Sequence, residues 1–251
     1  MFGQSWRWSS KIALAAALLA LGACASASLP SDAGGSAVGG VRVDRLPLIV
    51  VPSVRSGDTF AVMYSGDSGW APQAQAMASR LAADGVPVVG VNSVRYLVFR
   101  KTPDQAAADL AAVIDQYSQA WGRPRVILIG YSFGGDVLPF IAEHLPASEL
   151  ERVRLLALIS PSDHGDLAFR GVSWFDWQWP GAKPLEPALK ALSGVPMICI
   201  HADHDPRQAC NRFPGEVIRP IGLPGGHRYQ GRRDVVADVI VVSAGLTLSP
   251  P

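Results

Sequence analysis

The sequence predicts an α/β fold built on one mostly parallel central sheet with helices on both faces. Three observations predict it. From Arg42 onward, short β-branched and aliphatic runs alternate with amphipathic stretches of helix length, the pattern of consecutive βαβ units. Most of those runs are apolar throughout rather than at every second position, as strands buried on both faces should be. Pro72 and Pro103 stand where a first helical turn tolerates proline, and Gly85 and Gly122 stand just past helix ends.

The elements follow in order. Strands are expected at 46–52, 59–64, 87–92, 125–130, 154–160, 196–201 and 216–221, and helices at 72–83, 103–121, 133–144 and 232–244. In open sheets of this kind ligands bind beyond the carboxyl ends of the strands, so chemistry is sought in the loops there. Those loops carry Ser65-Gly66-Asp67-Ser68-Gly69-Trp70, then Ser132, then the 160–164 stretch, then His201 to Asp205, and finally Gly225-Gly226-His227.

With 251 residues, 49% of them hydrophobic and 17% charged, the chain can fill the core of one medium domain, and a second is not expected. The formal charge is +1 and the charged residues are dispersed, which makes nucleic acid an improbable partner. The N-terminal segment reads as an export signal over 1–23. Arg7 and Lys11 form a positive region, 12–21 an apolar run too short to span a bilayer, and small residues follow. Ser, Ala and Gly dominate the stretch to Gly40, so 24–40 reads as a flexible tether and 41–251 as the folded domain.

Three cysteines is an odd count for an exported chain. Cys24 ends Leu21-Gly22-Ala23-Cys24, which is similar to the lipobox of bacterial lipoproteins, and its acylation would account for the unpaired thiol. The rival is ordinary cleavage among the small residues that follow it. Cys199 and Cys210 are then left to pair in an oxidising compartment.

The run Val126-Ile127-Leu128-Ile129-Gly130-Tyr131-Ser132-Phe133-Gly134-Gly135 gives a buried strand, a Gly-x-Ser-x-Gly turn and a helix. This is the nucleophile elbow of the α/β-hydrolase fold, in which the glycines leave room for a strained turn that lifts the serine hydroxyl above the sheet. A serine needs an imidazole to take its proton and a carboxylate to orient that imidazole, in the chain order Ser, acid, His. His227 fits as base, since it alone among the histidines follows the last strand. Asp205, three positions beyond the small Ala202 that closes a strand, is the favoured acid, with Asp203 as the alternative. The oxyanion hole is expected from the amides of Phe133 and Asp67. The Asp67 side chain, with Trp70 and Tyr131, would then contact substrate, and a carboxylate there would suit a cationic group.

His201, Asp203, His204 and Asp205 form a dense group, but their spacing matches no ligand motif, so neither metal nor cofactor is expected. Trp174, Trp177 and Trp179 read either as a substrate-facing or membrane-facing lid or as packing bulk.

These stretches resemble the bacterial VirJ/AcvB virulence-factor family. The likeness runs from about Phe60 to the last helix and is carried by 65–70, 85–93, Arg95-Tyr96, 130–140 and Leu223-Pro224-Gly225-Gly226-His227. It departs at Ser68, where glycine is usual, at Gly135, where alanine is usual, and at His201-Ala202, where Tyr-Gly is common. The resemblance implies a periplasmic serine hydrolase with Ser132 as nucleophile and His227 as base. It also implies links to hydrolysis of the aminoacyl ester of lysyl-phosphatidylglycerol, to virulence and to secretion-system contacts. The competing readings are a non-catalytic periplasmic binding factor on the same scaffold and a broad-specificity esterase.

Overall fold

The computed structural model describes residues 40–171 and 181–249. The export segment, residues 24–39 of the tether with Cys24 among them, and Trp174, Trp177 and Trp179 lie outside the described residues. In chain order the elements are β1 (Leu48–Val51), β2 (Thr59–Tyr64), α1 (Pro72–Ala83), β3 (Val88–Val91), α2 (Ser93–Tyr96), α3 (Pro103–Trp121), β4 (Arg125–Tyr131) and α4 (Phe133–Ala142). They continue with α5 (Ala147–Leu150), β5 (Val153–Ile159), β6 (His164–Gly165), β7 (Lys183–Pro184), α6 (Glu186–Ala191), β8 (Met197–Ala202), β9 (Arg219–Leu223) and α7 (Arg233–Ser243).

Seven strands form one sheet in the order β1-β3-β2-β4-β5-β8-β9. Only β1 runs antiparallel, paired with β3 from Leu48↔Val91 to Val51↔Val88, and every other pair in this sheet is parallel. The expected mostly parallel sheet is therefore present. β6 and β7 form a separate two-residue ladder, His164↔Pro184 and Gly165↔Lys183.

The apolar runs explain the layering. Successive side chains of a strand point to opposite faces, so Phe60, Val62 and Tyr64 of β2 enter the core that α3, α4 and α6 cover. Ala61 and Met63 enter the core that α1 and α7 cover. Every residue of β2, β3 and β8 is buried, which is why these strands show no polar alternation.

Local signals set the helix ends. Thr102 accepts from the Gln105 N–H at 3.2 Å and Gln105 accepts from the Thr102 N–H at 3.0 Å, a reciprocal cap that fixes the start of α3. Gly122 ends it in the left-handed region at φ 63°.

The last strand begins three residues later than 216–221, because Val217 and Ile218 donate to the Pro214 carbonyl and turn the chain first. Pro220 inside β9 is tolerated because β9 is an edge strand.

Candidate active site

Ser132 stands between β4 and α4, at φ 51° and ψ −118°. Its N–H still donates to Ile159 at 2.8 Å as if the strand continued, while its carbonyl already accepts from Gly135 at 2.7 Å and Asp136 at 3.1 Å as if the helix had begun. A turn this tight needs its glycines. A Cβ at Gly130 would lie 2.6 Å from the Gly134 carbonyl oxygen, and one at Gly134 would collide with the Tyr64 carbonyl.

The loops after β8 and β9 bring two further side chains to this serine. His227 Nε2 lies 2.8 Å from Ser132 Oγ, and His227 Nδ1 lies 2.6 Å from Asp205 Oδ2. The structure thus places Asp205, not Asp203, against the imidazole. Asp203 instead donates its backbone N–H to Leu223 across the β8–β9 edge.

The Asp205 side chain is 1% exposed and that of His227 21%. Burial alone would raise the Asp205 pKa. The hydrogen bond and charge of His227, the Arg207 N–H and the Ser160 hydroxyl outweigh it and hold the carboxyl below the usual range. An ionised Asp205 can only accept, so the imidazole proton sits on Nδ1 and Nε2 is left to accept from Ser132.

Cys199 and Cys210 are joined in a disulfide, with Cα atoms 5.4 Å apart. It closes the segment that holds Asp205.

Phe133 is the first residue of α4, so its N–H belongs to the helix turn that lacks intrahelical acceptors. Its ring packs edge-on against Phe169 at 5.7 Å. Asp67 lines the space over Ser132 and His227. The loop before it runs close beside the serine, since a Cβ on Gly66 would lie 3.4 Å from Ser132 Cβ. Tyr131 borders a smaller recess beside Ser132 and gives its hydroxyl to the His227 carbonyl at 3.1 Å. Trp70 lies elsewhere. Its ring rests against Gly90 of β3, where no side chain intervenes, and its indole N–H donates to Gln75 at 2.8 Å.

A cavity of about 410 Å³ opens over Ser132 and is lined by charged residues, among them Asp67, Asp136, Asp163, Asp166, Arg170, Arg207 and Arg212. Asp163 pairs with Arg212 at 2.8 Å and with His164 at 2.9 Å, and Asp166 pairs with Arg100 at 2.6 Å and Arg170 at 3.1 Å. Asp136, one helical turn beyond Ser132, accepts from the Ser162 N–H at 2.6 Å. Burial pushes its pKa up to about 7, against the pull of the Ser162 hydrogen bonds.

Sequence reasoning did not single out Asp136, Ser160 or Tyr229. The glycine spacing marked the turn, but nothing local marks a residue whose partner is twenty or more positions away.

A mostly parallel sheet with a serine on the turn after a central strand, and with imidazole and carboxylate on loops at the same carboxyl edge, defines the α/β-hydrolase fold. Solved structures share it. Est1E from Butyrivibrio proteoclasticus aligns with a TM-score of 0.54 at 15% identity, over 77% of this chain and 89% of that one. XC6422 from Xanthomonas campestris, an α/β serine hydrolase without a lid, aligns with a TM-score of 0.51 at 17% identity, over 81% and 90%. An α/β serine hydrolase homologue from Coxiella burnetii aligns with a TM-score of 0.53 at 14% identity, over 78% and 89%. Within that fold the chain belongs to the bacterial virulence protein family VirJ, which matches residues 58–245. Comparison with curated proteins found no match.

Proposed function

We propose that the protein is a serine esterase that cleaves the aminoacyl ester of lysyl-phosphatidylglycerol or a related aminoacylated lipid. The observation that carries the reaction class is the line of hydrogen bonds from Ser132 Oγ to His227 at 2.8 Å and on to Asp205 at 2.6 Å. His227 Nε2 takes the Ser132 proton as Oγ attacks the ester carbonyl, and Asp205 holds the imidazolium that forms. The Phe133 and Asp67 amides receive the oxyanion. His227 then gives its proton to the departing lipid hydroxyl, leaving an aminoacyl-serine. Water, deprotonated by the same imidazole, releases the free amino acid.

The substrate reading rests on membership of the VirJ family and on the charge of the cavity. Asp163 and Asp166 are matched by arginines, whereas the Asp136 carboxyl is held up near neutrality by burial. An arriving ammonium would favour its ionised form and gain a partner.

Export to the periplasm and tethering through acylated Cys24 would bring the domain to its lipid. The export-like N-terminus and the Cys199–Cys210 disulfide support this reading. Among the described residues no helix is long and apolar enough to cross a membrane.

The test is to follow free lysine released from vesicles containing lysyl-phosphatidylglycerol, with p-nitrophenyl esters in parallel. Native protein should release lysine, and Ser132→Ala should lose at least about a thousandfold in rate. Full release by Ser132→Ala would overturn the mechanism. Turnover of the p-nitrophenyl esters alone would overturn the lipid substrate and leave a broad esterase, and inertness toward both would favour a binding factor.

A further inference from the structure

The cavity over Ser132 and the smaller recess beside it differ in the sign of their charge. Among the described residues the cavity brings four carboxylates, Asp67, Asp136, Asp163 and Asp166, against three arginines. Two of those arginines are already paired, Arg170 with Asp166 and Arg212 with Asp163. The recess, of about 70 Å³, brings two arginines, Arg207 and Arg228, against the one carboxylate of Asp67. Both spaces reach Ser132 and His227.

The two arginines come from separate loops whose backbones are held. Arg207 stands two residues beyond Asp205 and donates its N–H to that carboxylate at 3.2 Å. Arg228 directly follows His227, whose carbonyl accepts from the Tyr131 hydroxyl at 3.1 Å, and precedes Tyr229, which is buried at 1% exposure. Their side chains are not held. Both residues are exposed, and among the described residues neither guanidinium has an ion pair or a hydrogen-bond partner. A guanidinium without a partner offers planar, forked donors that match a phosphate. Burial raises the Tyr131 pKa and the Arg228 charge opposes it, so that charge is felt at the wall of the recess.

We propose that Arg207 and Arg228 form an anion site for the leaving group, and that the ester cleaved here carries a phosphate on its alcohol side. In acyl transfer the two halves of the ester part at Ser132. The acyl half stays on Oγ, and the alcohol departs with the proton that His227 Nε2 took from the serine. Two spaces meet at this point, and their charges assign the halves. An ammonium on the acyl half belongs in the acidic cavity, and a phosphate on the alcohol belongs in the basic recess. In a phosphatidylglycerol headgroup the phosphate lies one glycerol unit from the scissile ester oxygen. A soluble acylated glycerol phosphate presents the same chemistry. The inference rests on the serine-esterase reading and deepens it, by naming the feature of the leaving group that the site selects.

The test compares two soluble esters of one short acyl group, the first of glycerol and the second of glycerol phosphate, so that it depends on neither a lipid nor an amino acid. The readout is the ratio of their kcat/KM values within each protein, in which any general loss of activity cancels. Native protein should prefer the phosphate ester on the order of tenfold, mainly through KM, as charge-assisted hydrogen bonds at a partly screened site would give. Raising the ionic strength to about 1 M should shrink that preference, because the Debye length falls to about 3 Å. Arg207→Gln/Arg228→Gln should bring the ratio close to one. Arg207→Lys/Arg228→Lys should fall between, since it keeps both charges and loses the fork.

A native ratio near one would overturn the proposal, as would a preference that the glutamine pair leaves unchanged. If native protein turns over neither short ester, the same comparison is read as protection of Ser132 from a fluorophosphonate probe by glycerol phosphate against glycerol. Silence toward the probe as well would overturn the active-site reading and this inference together. A phosphate preference with no lysine released from lysyl-phosphatidylglycerol vesicles would remove the lipid reading alone, keep the anion site and make the substrate a soluble phosphate ester.

Discussion

The hydroxyl of Tyr131 donates to the backbone carbonyl of His227 at 3.1 Å, so the residue just before the nucleophile candidate holds the loop of the base candidate. The two rings also lie near each other, 5.9 Å between centroids and tilted by 33°. Strand end and histidine loop are coupled by the x of the Gly-x-Ser-x-Gly turn. This gives Tyr131 work besides the substrate contact expected of it from the sequence and besides bordering the smaller recess.

Tyr131→Phe should therefore act through the loop. Removing the hydroxyl leaves the ring in place but strips one acceptor's partner, which costs about 1 kcal/mol of stability. The expected signature is a severalfold fall in kcat for a small p-nitrophenyl ester with KM nearly unchanged, since a small ester has little reason to touch the phenol. A rise in KM with kcat intact would instead make Tyr131 a substrate contact only.

Much of the fold was legible because its signals are local. The boundaries of β2, α1 and α3 agree with the ranges read from the sequence. Prolines at first turns, Gly122 and uninterrupted apolar runs report the state of the same residues they occupy. The antiparallel direction of β1 was not legible, because pairing direction is set by the connection and leaves no mark on Leu48–Val51 itself. Short elements such as α5, α6 and the β6–β7 ladder lack the length to show a period. At the site the same division holds. Ser132 and His227 stood out by turn chemistry and chain order, whereas Ser160 and Tyr229 are ordinary residues until the fold joins them. Trp70 misled for a related reason: a tryptophan beside a candidate loop resembles a substrate contact, but the bare Cα of Gly90 had made room for it in the packing.

The disulfide yields a second prediction. Cys199 lies on β8 and Cys210 eleven residues on, so the bridge encloses Asp205 and Arg207, the latter giving its N–H to the carboxylate. By the chain-entropy account a loop of this size contributes roughly 3 kcal/mol. Both sulfurs are buried, and a Cys199→Ala/Cys210→Ala pair should lower the urea midpoint by the corresponding amount. If the bridge also clasps the acid, fluorophosphonate labelling should slow even well below the unfolding transition. Unchanged labelling alongside the lost stability would confine the disulfide to a stabilising role.

The carboxyl of Asp136 makes stability depend on pH in a direction opposite to that of Asp205. For Asp205 the folded state holds the pKa below its ordinary value, so its contribution is present at neutral pH and is lost only as acid protonates the carboxylate. For Asp136 the folded pKa is raised to about 7 by burial, from 3.8. Between those values the folded chain binds a proton that the unfolded chain has released, so the slope of stability against pH is negative. Lowering pH from about 7.5 to 5 should therefore strengthen the protein at this site, until the unfolded carboxyl also takes up its proton near pH 4. Asp136→Asn removes the titration while its amide oxygen can still accept from the Ser162 N–H. Urea midpoints across that range should show native protein gaining on the variant as pH falls and losing ground to it above neutrality. Parallel curves would mean that Asp136 stays ionised throughout, with water or a neighbouring cation meeting its charge. The neutral carboxyl would then have no part in how the cavity receives an ammonium.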